Sequence, residues 1–231
     1  DVYKRQWQED DVNAPFVDAN GQTNGKTNGE VYKVKPGNSK YVDVNKDGVY
    51  NDADQGIIGC GQPTFNWGWN NTFNYKNFDF SFFVVGFHGF DIYNATHQMG
   101  YNLIKSQQMA GVTPMRELLN RWTPTNTNTD IPGFVKGGTE NKDFFSTRFV
   151  ENGSFIKMKS ITLGYTLPEA TCRSLGINNL RVYASVQNPF HITKYSGLDP
   201  EATMGSPLVQ GVDWGAYPNS RNYLIGLNFS F

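Results

Sequence analysis

Apolar and polar residues alternate along five stretches of the chain. Each alternation has the period of two that marks an extended strand with unlike faces. In the first, Phe65, Trp67, Trp69, Asn71, Phe73 and Tyr75 share one face, and Asn66, Gly68, Asn70, Thr72 and Asn74 share the other. Lys76-Asn77 reads as a two-residue turn. Beyond it, Phe78, Phe80, Phe82 and Val84 alternate with Asp79, Ser81 and Phe83 in a return strand that runs to about Tyr93. A third strand spans Ser154 to Leu167. It opens on Ile156 and Met158 and settles into the other phase on Ile161, Leu163, Tyr165 and Leu167, which predicts a bulge near Lys159. In the fourth, Leu180, Val182, Ala184 and Val186 alternate with Arg181, Tyr183, Ser185 and Gln187. The fifth sets Tyr223, Ile225, Leu227, Phe229 and Phe231 against Asn222, Gly226, Asn228 and Ser230, with Leu224 the exception.

The connections alternate between short and long. After the tight turn comes a long insertion, 94–153. In it a helix is predicted from a cap at Thr113 and a first-turn Pro114 to about Trp122, stopped by Pro124. A short helix, Pro168 to Leu175 closed by Gly176, joins the third and fourth strands. A further long loop, 191–221, precedes the last. Gaps of this length are foreign to a compact soluble β domain and ordinary for the extracellular loops of an outer-membrane barrel, whose short turns lie in the periplasm. The expected fold is therefore all-β: an antiparallel transmembrane β-barrel segment of about five long strands with long extracellular loops, incomplete because the smallest barrels need about eight. Gly226-x-x-Phe229-x-Phe231 looks like the terminal assembly signal of such a barrel. The closing strand is expected beside Leu180–Val186, with its other edge free. Cys60 then lies outside and Cys172 in the periplasm, much farther apart than the ~7 Å that a disulfide spans, so two free thiols are expected.

Composition agrees. Hydrophobic residues make up only 38% of the chain while aromatics reach 15%, a mix that suits water-facing strand halves and aromatic girdles and excludes disorder. No apolar run approaches the ~20 residues of a spanning helix. The formal charge of −1 gives no ground for nucleic-acid binding. The chain opens without a signal peptide, so the true start is expected upstream. Residues 1–6 are expected to be a non-native leader outside the fold, 7–64 an extracellular loop region, and 65–231 the strands.

Little catalytic chemistry is visible. His88, His97 and His191 have no ligand spacing, and there is no nucleophile elbow, phosphate loop or dinucleotide fingerprint, so no enzyme is expected. Residues 43–54 have the spacing of a calcium loop: Asp43, Asn45, Asp47, the Val49 carbonyl, Asn51 and Asp54 at the ligand positions, and Gly48 at the sharp turn. Asp rather than Glu at the last position shortens the reach, and no amphipathic helices flank the loop. Two readings stand: a bound cation, Ca2+ ahead of Mg2+, or a loop held by Asx turns with no ion. Trp122, Tyr195, Trp214 and Tyr217 are candidate contacts for a ligand or partner, because flat rings suit sugars and apolar surfaces. Against this, loop rings more often pack the loops themselves. Asn66, Asn70, Asn74, Arg181 and Gln187 could line a translocation path, although such residues more often only solvate a lumen.

Several motifs occur in a family-specific order: Tyr41-Val-Asp-Val-Asn-Lys-Asp-Gly-Val-Tyr50, Ile57-Ile-Gly59, Pro63, Tyr75-Lys-Asn-Phe-Asp-Phe80, Tyr93-Asn94, Ile161-Thr-Leu-Gly-Tyr-Thr-Leu-Pro168, Leu180-Arg-Val-Tyr183, Gln187-Asn188, Tyr195-Ser-Gly-Leu-Asp-Pro-Glu201, Tyr217-Pro218 and Gly226-Leu227. From about Trp7 onward the chain resembles the C-terminal part of SusC/RagA-type TonB-linked outer-membrane proteins of Bacteroidetes. The resemblance implies a cell outer-membrane barrel of about 22 strands with an N-terminal plug. It also implies a SusD-like surface lipoprotein over the mouth, contact with outer-membrane lipid, and TonB-driven import of glycans or oligopeptides. The TonB complex would act through the N-terminal part, which this chain lacks. The alternative is a secreted soluble β-rich module stapled by calcium. That alternative needs a second layer burying Trp67, Phe82, Leu163, Val182 and Leu227.

Overall fold

The structure, a computed structural model, describes residues 3–101, 115–133, 145–204 and 210–230. The chain divides into two compact units, Asp1–Gly59 with Asn94–Val150, and Cys60–Tyr93 with Glu151–Phe231.

The first unit holds four short strands: β1 (Tyr3–Gln6), β2 (Pro15–Val17), β3 (Thr23–Thr27) and β4 (Ser39–Tyr41). β1 pairs with β4, and β2 with β3. Asp18 closes the β2–β3 turn by accepting from the N–H groups of Asn20 and Gln22, and Thr27 and Glu30 form a capping box on the helix Asn28–Tyr32. Trp7 is buried beneath the Lys40 ammonium, 4.3 Å from its ring centre, and beside Tyr32, which stacks on Tyr50. This corrects the expectation for the opening residues. Tyr3–Gln6 supplies the ladder partner of β4, Gln6 is buried, and Arg5 forks onto Asp11 at 2.8–2.9 Å. Residues 7–64 are likewise more than a loop region up to Gly59, because aromatic packing around Trp7 gives them a core. The same unit contains the helix Ala95–Tyr101 and a 3-10 turn, Arg116–Asn120. The predicted cap Thr113 and Pro114 lie outside the described residues. The described part starts after Met115 and is a 3-10 turn rather than an α-helix to Trp122.

The second unit is built on one large sheet. Its strands are β5 (Phe65–Tyr75), β6 (Phe78–His88), β9 (Phe155–Thr166), β10 (Asn179–Gln187) and β13 (Asn222–Ser230), and β11 (His191–Thr193) is added beside the start of β9. The order is β13-β10-β9-β6-β5, antiparallel throughout. β7 (Asp91–Asn94), β8 (Val150–Asn152) and β12 (Val212–Asp213) form a smaller sheet. The predicted bulge is present. Phe83 faces Ser160 and Val84 faces Met158, which leaves Lys159 without a partner on β6. Its carbonyl accepts instead from Asn188 N–H at 2.9 Å, where a φ of 50° turns the chain out of β10 and on to β11. The second strand does not continue to Tyr93. It stops at His88 because Gly89, at φ 72°, turns the chain into β7 and the other sheet.

The turn Lys76-Asn77 and the short helix Glu169–Ser174 lie at one end of this sheet, and residues 89–154 and 188–221 leave from the other. Lys76 takes the positive φ that the turn needs. The two cysteines are free: Cys172 is buried in the turn-end helix, and Cys60 is exposed at the loop end, where its N–H donates to Asp91.

The face carrying the aromatics is uncovered. Leu163 is 51% and Leu227 61% exposed, Trp67 is 36% exposed, and Phe82 and Val182 are only partly buried. None of these five residues sits in a second-layer core, as the soluble alternative requires. Aromatic pairs run along this face: Trp69 meets Phe82 edge-on at 5.1 Å, Phe73 stacks on Phe80 and Phe82, and Phe78 contacts Tyr165 at 4.7 Å. At the loop end Trp67 Nε1 donates to His88 Nε2 at 3.0 Å, and Phe65 stacks on the same imidazole. The buried core of the unit lies on the opposite face near the loop end, where Phe90, Ile92, Phe155 and Tyr195 cluster and Phe87 stacks on Phe155 at 5.1 Å.

Candidate functional site

Strand register sorts the side chains of the large sheet into two sets. Asn66, Asn70, Asn74, Arg181 and Gln187, the expected lumen residues, share the polar face with Asp79, Ser81, Thr162, Gly164, Tyr183 and Ser185. Polar groups on this face pair across strands. Arg181 forks onto Asp79 with bonds of 2.9 and 2.5 Å, Thr162 meets Ser185 at 2.8 Å, and Asn222 reaches Gln187 at 3.3 Å. The strand between Asp79 and Arg181 contributes Gly164, and nothing larger fits: a Cβ there would stand 2.4 Å from Asp79 Oδ1 and 2.6 Å from Arg181 Nη2. The Arg181 guanidinium lies 5.0 Å from the ring centre of Tyr183, and that ring covers Gly226, whose Cβ would stand 2.3 Å away. Gly226, picked out in sequence as part of an assembly signal, is thus also the seat of Tyr183. Phe229 is exposed on the apolar face opposite Leu180, and Phe231 lies outside the described residues. Among the described residues β13 pairs with β10 alone, which leaves its other edge open.

At the loop end the polar face is not open. Phe155 and Lys157 point to it, yet each is only 2% exposed. The segment after β11 folds back over them. Lys157 Nζ donates to Asp199 at 2.8 Å and to Glu201 at 2.7 Å, and Lys159 pairs with Glu201. Asn219 adds its backbone N–H and side-chain amide to Asp199 at 3.1 and 3.2 Å, and its amide to Glu201 at 2.9 Å. Burial alone would raise the Asp199 carboxyl, but the hydrogen bond from Lys157, the N–H of Asn219 and the Lys157 charge outweigh it and hold the group below its ordinary range. The bulge at Lys159 makes this clamp geometrically available, because the phase change puts Lys157 on the same face as Ser160 and Thr162. Sequence reasoning missed it. Lys157 precedes Asp199 by 42 positions, and the only signal was a lysine on a strand otherwise short of charge.

The four ring candidates separate. Tyr195 is corrected: it is 5% exposed, packs in the core cluster and donates to Asp213 Oδ2 at 2.5 Å, so it faces no ligand. Burial first, then the Asp213 carboxylate, push its hydroxyl well above the usual range and keep it a donor. Asp213 Oδ1 meanwhile accepts from Gly215 and Ala216 N–H, in a turn that leaves Trp214 57% exposed. Tyr217 is 89% exposed. Trp122, in the first unit, lies against Gly37 and donates to Gln8 at 3.1 Å, which is a packing role.

The 43–54 loop is closed by its own side chains. Asp43 Oδ2 accepts from Gly48 N–H and the Tyr32 hydroxyl, and Asn45 Oδ1 from Asp47 N–H. Asp47 accepts from Val49 N–H and the Asn45 amide, Asn51 Oδ1 from Ala53 N–H, and Asp54 from Val44 and Asn51 N–H. Gly48 takes φ 84° at the turn. Among the described residues no three His, Cys, Asp or Glu converge as a metal set. One atom stays unsatisfied: Asp43 Oδ1 is buried without a hydrogen-bond partner.

No family model matches the chain. It is 36% identical over 202 residues to TonB-dependent receptor P3 of Formosa agariphila, covering 85% of this chain and 19% of that protein. It is 32% identical over 199 residues to the TonB-dependent receptor SusC of Bacteroides thetaiotaomicron, covering 85% of this chain and 18% of that one. Among solved structures it is similar to the RagAB peptide importer in the closed-closed state, with a TM-score of 0.67 and 25% identity over the whole of this chain and 22% of that chain. A second structure, of the RagAB peptide transporter, gives 0.62 and 28% over 74% of this chain and 17% of that one. The chain spans about a fifth of the length of these relatives.

Proposed function

We infer the function from one premise: the chain belongs to the TonB-dependent receptors of the SusC/RagA type, whose members are outer-membrane β-barrel proteins. It forms part of the barrel wall of a transporter that imports glycans or oligopeptides, with a SusD-like lipoprotein at the extracellular mouth. The TonB complex drives the cycle through the N-terminal part of the receptor. The observation that carries this reading is the two-faced sheet, aromatic and uncovered on one side, lined by paired polar groups on the other, with short connections at one end and long ones at the other. Exposed Trp214 and Tyr217 are its contacts to cargo or lipoprotein. The chain carries no catalytic step.

The test is deletion of the receptor gene. Growth on one class of large nutrient, oligopeptide or oligosaccharide, is expected to be lost while growth on the free amino acids or monosaccharides is unchanged. A lipoprotein is expected to co-purify with the full-length receptor. Undiminished growth on every nutrient of both classes would refute the transport reading.

A divalent cation in the 43–54 loop is a second proposal, favoured by the unpartnered Asp43 Oδ1. Addition of EDTA is expected to speed proteolysis within residues 43–54 several-fold and to leave the strands folded. An identical digestion pattern with Ca2+ and with EDTA would leave Asx turns as the whole account of the loop.

A further inference from the structure

We propose that the buried clamp formed by Lys157, Asp199, Glu201, Lys159 and Asn219 holds residues 194–221 as a fixed constriction over the polar face of the wall, and so limits the size of what can pass along it. The inference rests on the transport reading for its meaning, though not for its geometry.

Phe155 and Lys157 stand on the face that also carries Ser160, Thr162 and Gly164. In an open lumen such positions are wet, and a lysine there needs no partner. Here both side chains are sealed, and what seals them is the chain segment that follows β11. Tyr195 packs on Phe155, while Asp199 and Glu201 meet the lysine. The segment is fastened at its return as well, because Asn219 binds both carboxylates and Ser220 accepts from the Asn188 amide at 3.1 Å. Both ends of the excursion are thus tied to one point on β9. Toward the turn end the same face carries only side chains in contact with each other, such as Asp79 with Arg181, and no loop crosses them. The narrowing is therefore local to the loop end. A buried ammonium shared between two carboxylates makes it a fixture: removal of one partner leaves charge uncompensated in a dry site, so the segment lifts rather than loosens.

The test uses the full-length receptor in its outer membrane. A reporter cysteine replaces Val85, which is buried opposite Lys157, in a background carrying Cys60→Ser. Cells are treated with membrane-impermeant maleimides of graded size. With the clamp intact, Val85→Cys is expected to resist all but the smallest reagent. With Asp199→Asn added, labelling is expected to rise at least tenfold and to extend to larger reagents. Should Asp199→Asn fail to reach the membrane, Asn219→Ala, which strands no lysine, is read in its place with the same expectation. Equal labelling with and without the clamp, or free labelling when it is intact, would overturn the proposal. Because labelling reads the constriction without any cargo, its failure is distinct from failure of the growth test above.

Discussion

Replacement of Lys157 by Met is expected to destabilise the loop end of the sheet by about 3–5 kcal/mol, the usual consequence of removing one partner from a buried ion pair. The methionine fills most of the lysine's volume, so packing changes little and the loss is electrostatic. Asp199, 3% exposed on its side chain, keeps its charge but loses its closest cation, and Glu201 retains only Lys159 and Asn219. The measurement is urea unfolding of the full-length receptor in lipid vesicles, followed by loss of the folded band on unheated gels. A double variant, Lys157→Met with Asp199→Leu, is expected to recover part of the loss, because it removes both charges together. If the single and double variants were equally unstable, volume and not charge would be the cause. Acid should act on the same contact. The Asp199 carboxyl is held below its ordinary value of 3.8. Its contribution is therefore fully present above that value and is lost as the pH falls through the lower, folded-state value. Residues 194–221 should lift only in strong acid, below about pH 4, and Asp199→Asn should abolish that transition.

The strands were legible before the structure because a sheet with water on one side and lipid on the other imposes the period of two at every position. β5 matches its predicted limits, and even the bulge at Lys159 was visible as a phase change. What could not be read was anything set by contacts between distant segments. Trp7 looked like one apolar residue in a polar stretch, and its burial depends on Lys40, Tyr32 and the β1–β4 pairing. Tyr195 and Trp214 looked alike as loop aromatics. They differ because Asp213 takes the hydroxyl of one inward and turns the other out, a distinction that local pattern does not encode. Gly164 and Gly226 read as small polar-face residues. Only the register shows that Asp79, Arg181 and Tyr183 occupy the space their missing side chains leave.

Substitution of Leu163 by Arg is expected to cost about 2–4 kcal/mol, while Thr162→Arg, one residue away, should cost no more than about 0.5 kcal/mol. The contrast follows from the two faces. Leu163 lies between Phe80 and Ala184 on the aromatic side, and at 51% exposure it has no protein layer over it. A guanidinium there must be desolvated by hydrocarbon or must drag water and headgroups inward. Toward the turn end the girdle of Phe78, Tyr165 and Tyr75 is close enough for partial snorkelling, which sets the lower limit of the range. Thr162 faces the polar side, where Ser185 is its partner and a charged head finds water. Folding free energies of the two variants in vesicles, measured by denaturant titration, decide the matter. In a soluble two-layer protein the ranking would survive but its cause would be burial, and a thinner bilayer would change nothing. For a sheet whose aromatic face meets lipid, the cost of Leu163→Arg should fall as the acyl chains are shortened, because the distance from the side chain to water shrinks while every protein contact stays the same.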